Sequence, residues 1–336
     1  MIISQTPLRV SFFGGGTDLK DYYRFHGGAV LSSTIDKYIY VIVKSRYDDR
    51  IVLNYAKKEE VRTVAEIEHP IIREALTIVG IDQGIEITSI SDIPSEGSGL
   101  GSSSSFTIGL LNALYMYKGE TKNPHELGAI ACRIEIDLLK EPIGKQDQYA
   151  AAFGGFKKYS FNSDDTVSVD SIPLTNSQYK LLDMHAMMFF TGITRKASAV
   201  LADQKQNTGN NLDTLNRLKQ FVDTCHDDFL SLNIERIGRL LDVSWEEKKK
   251  LSRKINNNEI DRIYEAAKEA GIYGGKLLGA GGGGFFLFLC PLENQQRVRQ
   301  ALHHYDELPI SFDRYGSRIV LNANDHCGFV NLKVGC

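Results

Sequence analysis

Two domains of mixed strands and helices are what this sequence predicts, and three observations carry that reading. The chain has 336 residues, against about 150 for an average domain. Its hydrophobic fraction is 42% and its charged fraction 24%, ordinary globular usage with enough apolar surface for sizeable cores. Segments of period two and of period 3.6 both recur along the chain.

The elements follow in order. Leu8, Val10 and Phe12 alternate with Arg9 and Ser11, a strand with one apolar face that turns Arg9 to the other side. Gly14, Gly15 and Gly16 end it in a turn. Residues 38–43 and 85–90 are continuous β-rich runs, read as buried strands. A glycine-serine loop over 95–105 leads into Phe106, Leu110, Ala113, Leu114 and Tyr117, one face of a helix. A second helix is predicted over 124–139, with Leu127, Ala131, Ile134 and Leu138 inside. The segment 157–180 is polar and strand-poor and is the natural place for a domain boundary. Beyond it, helices are predicted near 194–206, 212–232 and 259–270, the second on a stripe of Leu215, Leu218, Val222, Cys225 and Phe229. Gly279–Gly284 then runs into a strand at 285–289. The basic run Lys248-Lys249-Lys250 after Glu246-Glu247 reads as a solvated helix face.

Composition excludes several classes. The net charge is −3, so no global positive field attracts nucleic acid. Five cysteines without a CxxC pair argue against a disulfide framework, and no HExxH spacing suggests a metal site. The N-terminus lacks the features of a signal peptide, and the apolar run 285–290 is a strand length. The expectation is a soluble, cytoplasmic protein with no membrane partner. A homodimer is allowed but not required.

The loop Gly97-Ser98-Gly99-Leu100-Gly101-Ser102-Ser103-Ser104-Ser105 carries the clearest chemistry. Glycines let backbone approach a ligand closely, and the N–H groups opening a helix attract anions. Phosphate binding is implied. The loop reads GxGxG, not the GxGxxG of a Rossmann fingerprint, and neither GK pair completes a Walker A motif. A dinucleotide oxidoreductase and a P-loop NTPase are both disfavoured. A flexible linker is the bland alternative, but it has no reason to open an amphipathic helix.

Four charged residues stand out. Glu135 has Ala131, Cys132, Leu138 and Leu139 as helical neighbours, and an acid there must be paired, protonated or bound to metal. Asp147 follows twelve residues later, among glycines and amides. Taken alone, Asp147 reads as an N-cap or turn residue ahead of a catalytic one, Asp18 as an N-cap, and Arg9 as half of a surface salt bridge.

Taken together, three motifs resemble the GHMP kinase superfamily: 7–12 (PLRVSF), 94–105 with its GLGSSS core, and 276–285 (KLLGAGGGGF). They occur in order and span nearly the whole chain. The resemblance implies an α+β, two-domain fold. Residues 1–170 would be a domain like the second domain of ribosomal protein S5, and 171–336 a ferredoxin-like domain. ATP and a sugar would lie in the cleft between them. It also implies roles. Gly97, Gly99, Leu100, Gly101, Ser102, Ser103 and Ser104 would hold the ATP phosphates, and Ser103 and Glu135 would ligate Mg²⁺. Asp147 would accept or orient the acceptor proton, with Arg9 holding it as the anion. Thr17, Asp18, Gly281 and Gly282 would face the sugar. The galactokinase Gly-Glu-His-Thr-Asp stretch is replaced by Gly14-Gly15-Gly16-Thr17-Asp18, which disfavours galactose. The stretches 26–38 and 190–198 resemble the heptose 7-phosphate kinases, which phosphorylate the anomeric hydroxyl on the way to GDP-heptose and surface glycans. Such an acceptor needs a second anion site, for which Arg195 and Lys196 are the candidates. A kinase of an unphosphorylated sugar and a non-catalytic sugar and ATP sensor are the alternatives.

Overall fold

A computed structural model describes residues 1–93, 97–194 and 197–323, without the side chains of 197–199 and 206. The first half contains β1 (Ile2–Phe13), α1 (Lys20–His26), β2 (Gly28–Ser45), β3 (Ile51–Asn54), β4 (Lys58–Val61), α2 (Pro70–Val79), β5 (Ile85–Ser91), α3 (Ser102–Tyr117), α4 (Pro124–Cys132) and α5 (Gln146–Phe153). The rest of the described chain contains β6 (Lys157–Phe161), β7 (Val167–Ser171), α6 (Asn176–His185), β8 (Ala186–Phe190), α7 (Ala197–Gln206), α8 (Leu212–Ser231), α9 (Ile234–Lys249), α10 (Asn258–Glu269), β9 (Gly274–Leu277), β10 (Phe285–Leu289), α11 (Gln295–Ala301), β11 (Phe312–Asp313) and β12 (Arg318–Asn322).

The larger sheet runs β12-β1-β2-β5-β3-β4, with β6 and β11 also on β2 and β7 on β6. All its pairings are antiparallel except β3 with β5. The smaller sheet is β8-β10-β9, pairing Phe286 with Phe189 on one side and Leu277 on the other. Its core gathers Trp245, Tyr264, Phe286 and Phe288. The last strands return to the sheet that begins the chain, since Ile2 pairs with Asn322.

Several sequence expectations change here. Residues 38–43 are not buried on both sides. Ile39, Val41 and Val43 face the core, while Tyr38 and Tyr40 are half-buried. Ile90 of β5 is 53% exposed, so this run too has one buried face. Segment 157–180 is not strand-poor: it carries β6 and β7, a pair built onto β2 that buries Tyr159, Phe161 and Val167 between polar residues. Arg9 does not point to solvent, because the glycine-serine loop and α5 cover the second face of β1.

The helix predicted over 124–139 is α-helical only to Cys132, behind an Asn123–Glu126 capping box. Residues Arg133–Leu138 form a π turn, in which the Leu139 N–H reaches the Ile134 carbonyl five residues back. The wider turn slips the stripe by one position. Leu138 is therefore 42% exposed, and Leu139 packs against the core instead. Such bulges concentrate at functional sites, and this one contains Glu135.

Candidate active site

The glycine-serine loop ends β5's connection to α3. Gly97, Gly99 and Gly101 adopt φ of 71°, 76° and 76°, a left-handed region open mainly to glycine. Gly99 also cannot carry a side chain for want of space, since a Cβ there would lie 2.7 Å from the Leu278 carbonyl oxygen. The two glycine-rich segments thus touch backbone to backbone. Helix α3 begins at Ser102 with no side-chain cap on its first N–H groups, so its positive end opens into the cleft. The Ser98 and Ser102 hydroxyls bond each other at 3.1 Å.

Arg9 knits this loop to a carboxylate. Its Nη1 donates to the Gly99 carbonyl at 2.7 Å. Its Nε and Nη2 donate to Asp147 Oδ1 and Oδ2 at 2.7 and 2.6 Å. The surface salt bridge of the simplest reading is instead a bidentate pair whose arginine is 3% exposed, the strong geometry for such pairs. Asp147 occupies the first turn of α5.

Asp18 does not cap the helix that follows it, whose N-cap is Leu19; it reaches the first N–H of α5 instead. It accepts from the backbone N–H of Gly16 and Gln146 at 3.0 and 3.2 Å. Gly144 makes room for it, because a Cβ there would stand 2.0 Å from Asp18 Oδ2. Burial, with the neighbouring charge of Asp147 second, raises the Asp18 carboxyl to about 6.

Glu135 is 1% exposed and has no cation partner among the described residues. Its Oε1 accepts from Ser103 Oγ at 3.0 Å. Its Oε2 accepts from Ser104 Oγ at 2.9 Å and Gln148 Nε2 at 2.6 Å. Burial still outweighs these three donors and raises the carboxyl to about 7. A buried carboxylate beside a serine hydroxyl is a hard-oxygen pair suited to Mg²⁺, which needs few protein ligands when phosphates and water supply the rest.

These groups line one cleft of about 580 Å³, within the range of small-molecule sites. Arg9, Asp18, Gly97, Gly99, Gly101, Ser102, Ser103, Ser104, Glu135, Asp147 and Gly281 all border it. Leu100 is buried beneath the loop, where its carbonyl accepts from the Arg9 N–H. Thr17 stands apart from the lining. It is fully buried, and its hydroxyl serves the backbone of Gly14 and Ala29. Gly282 also lies behind the lining, its N–H donating to the Ile255 carbonyl. Arg195 and Lys196 lie outside the described residues.

Two lysines of the lining escaped the sequence reading. Lys248 is no solvated residue: it is 7% exposed and borders the cleft. The signal was present, because Ile234, Ile237, Leu241, Trp245 and Lys248 fall on one buried stripe of α9. Lys276 stood inside a quoted motif without a role, and it too borders the cleft at 4% exposure.

Comparisons with known proteins bear on the family and the fold. The GHMP kinases N terminal domain matches residues 54–155 and the GHMP kinases C terminal domain matches 226–307. The chain is 31% identical over 315 residues to D-glycero-alpha-D-manno-heptose 7-phosphate kinase from Campylobacter jejuni, covering 89% of this chain and 92% of that one. It is 28% identical to L-fucokinase/L-fucose-1-P guanylyltransferase from Bacteroides fragilis, covering 89% of this chain but 35% of that longer protein. A crystal structure of a D-glycero-D-manno-heptose 1-phosphate kinase from Bacteroides thetaiotaomicron superposes with a TM-score of 0.81 at 25% identity, over 96% of this chain and 99% of that one.

Proposed function

The chain belongs to the GHMP kinases and is an ATP-dependent sugar kinase of that type, and from that premise we propose that its acceptor is a D-glycero-D-manno-heptose 7-phosphate, phosphorylated on the anomeric hydroxyl. The observation that carries the chemistry is the Arg9–Asp147 pair beside the glycine-serine loop, in the same cleft as Glu135. The observation that carries the substrate is the 31% identity to a kinase of that name. The two heptose kinases it resembles are named for opposite starting phosphates, and the anomeric reading follows the 7-phosphate name.

Each residue's work follows from its position. The α3 N-terminus and the loop glycines bind the ATP phosphates through backbone N–H groups. Both Asp147 oxygens accept from Arg9, and each keeps further lone-pair capacity. Asp147 therefore orients the acceptor hydroxyl and takes its proton as the new oxygen–phosphorus bond forms and the bond to ADP breaks. Asp18 accepts from a sugar hydroxyl. Ser103 and Glu135 would hold Mg²⁺, which when bound offsets phosphate charge. The protein chiefly positions an in-line transfer, as phosphoryl-transfer enzymes do. Arg195 and Lys196, just past the cleft-lining Thr194, are proposed to hold the phosphate already on the acceptor.

The test is a phosphorus NMR assay with ATP, Mg²⁺ and the heptose 7-phosphate, alongside fucose, galactose, mannose and mannose 6-phosphate. A new anomeric phosphate only with the heptose phosphate is expected. Turnover confined to a free sugar would discard the heptose assignment and keep the sugar-kinase reading.

A further inference from the structure

Buried ammonium groups without a counter-anion are costly, and this cleft holds two. Lys276, on β9, sends its Nζ to the Phe12 carbonyl at 2.7 Å. Lys248, on α9, sends its Nζ to the carbonyls of Leu277 and Gly279 at 3.1 and 2.6 Å. Among the described residues neither ammonium has a carboxylate partner. Each lysine keeps donor capacity, since an ammonium carries three N–H groups. Arg9 completes the cluster: its Nη1 binds the Gly99 carbonyl, and Gly99 abuts Leu278 and Gly279. Lys248 and Arg9 thus hold the two sides of the contact between the glycine segments, while Lys276 reaches to the Phe12 carbonyl of β1. Burial, with the Arg9 charge second, lowers Lys248 to about 7, and burial followed by the charges of Lys248 and Arg9 lowers Lys276 well below the ordinary lysine range.

We propose that Lys248 and Lys276, together with Arg9, form a cationic site that takes a phosphate dianion in the cleft. The inference rests on the kinase reading above. The chemistry fits the γ-phosphate of ATP and the phosphate carried by the acceptor alike, and the experiment separates them. The carbonyl bonds of both lysines also fix the ammonium groups in advance, so binding requires little reordering.

The test uses the full chain and isothermal titration with three probes: AMP-PNP, ADP and the heptose 7-phosphate. Lys248→Met and Lys276→Met remove the charge with little change in volume, and Lys248→Arg keeps it. If the site takes the γ-phosphate, each Met variant weakens AMP-PNP tenfold or more and leaves ADP unchanged. If it takes the acceptor's phosphate, the heptose phosphate alone weakens by that factor. Tenfold is the lower end for a charge-assisted hydrogen bond, about 1.4 kcal/mol. Affinities within twofold of wild type for all three probes would overturn the proposal, as would equal loss of ADP and AMP-PNP. Equal losses in Lys248→Arg and Lys248→Met would also overturn it, because charge would then not be the cause. Crystal structures of wild type with AMP-PNP and with the heptose phosphate need no variant to fold. A phosphate oxygen within about 3.5 Å of either Nζ supports the site, and phosphate oxygens beyond the ion-pair range of about 4 Å from both in each complex reject it. Should the acceptor prove to be another sugar, the comparison of AMP-PNP with ADP still decides.

Discussion

Replacing Glu135 by Gln should stabilise the metal-free protein while destroying its activity. Glu135 is buried, and its carboxyl rises from 4.5 to about 7 because burial outweighs three hydrogen-bond donors. A rise of about 2.5 units at 1.36 kcal/mol each is a cost of about 3 kcal/mol when the group is ionised. An acid whose folded pKa lies above its unfolded value binds its proton more tightly in the native state. Stability therefore falls as pH rises from about 4.5 through about 7, and the whole cost is present above that window. Gln carries no charge and keeps the shape, so the advantage of Glu135→Gln over wild type should grow by about 2 kcal/mol between pH 5.5 and pH 8. Urea unfolding in EDTA at the two pH values measures it, and Asp18, which titrates in both proteins, cancels. Adding Mg-ADP should reverse the order, with wild type gaining more. Turnover should fall at least about 100-fold, the scale for losing a charge-stabilising group. A stability difference that does not change with pH would refute the reasoning. It would mean that Ser103, Ser104 and Gln148 already satisfy the ionised form and that no cation is needed there.

Other changes probe the rest of the cleft. Asp147→Asn should lower kcat by about 10²- to 10⁴-fold, the range for removing a proton acceptor, while AMP-PNP binding by titration stays within a few-fold; a near-normal kcat would remove Asp147 from the reaction. Gly144→Ala places a methyl 2.0 Å from the Asp18 carboxylate, so the acceptor KM should rise with little change in the ATP KM. An unchanged acceptor KM would separate Asp18 from sugar binding. The π turn predicts a contrast between neighbours on its rim: Ile134→Ala should cost about 2–5 kcal/mol and Leu138→Ala within about 0.5 kcal/mol. Equal losses in urea unfolding would mean that the turn is α-helical in solution.

Much of this was legible in the sequence because local pattern and tertiary burial agree. The stripe Leu215, Leu218, Val222, Cys225 and Phe229 is buried as the period of 3.6 requires. The loop opening α3 is where glycine and serine spacing put it. What failed did so for identifiable reasons. Arg9 alternates with apolar residues, and alternation alone cannot tell a solvated face from one covered by a distant loop. Leu138 obeyed α-helical spacing until the π turn inserted its extra residue. Lys248 reads as solvated beside Lys249 and Lys250, yet it continues the buried stripe of α9. Its burial depends on carbonyl partners at Leu277 and Gly279, which are remote in sequence. The Asp18 pocket depends likewise on Gly144, and no local rule links those positions.

One physical cause acts on four titratable groups of the cleft. Burial raises Glu135 and Asp18 and lowers Lys248 and Lys276, so acids and bases are both driven toward their neutral forms. A site balanced this way gains affinity when charged ligands arrive, because each ligand charge supplies the partner that burial withheld. A cation beside Glu135 and a phosphate beside the lysines would each restore the ionised form. Arg9 links the two regions, because it binds Asp147, whose charge adds to the rise of Glu135, and the loop that meets Gly279. Nucleotide and metal should therefore bind with positive cooperativity. ADP titrated against wild type in EDTA and in excess Mg²⁺ measures that coupling, and Glu135→Gln should abolish most of it. If the variant kept the full coupling, the metal would be answering only to the nucleotide's own phosphates, and Glu135 would have no part in holding it.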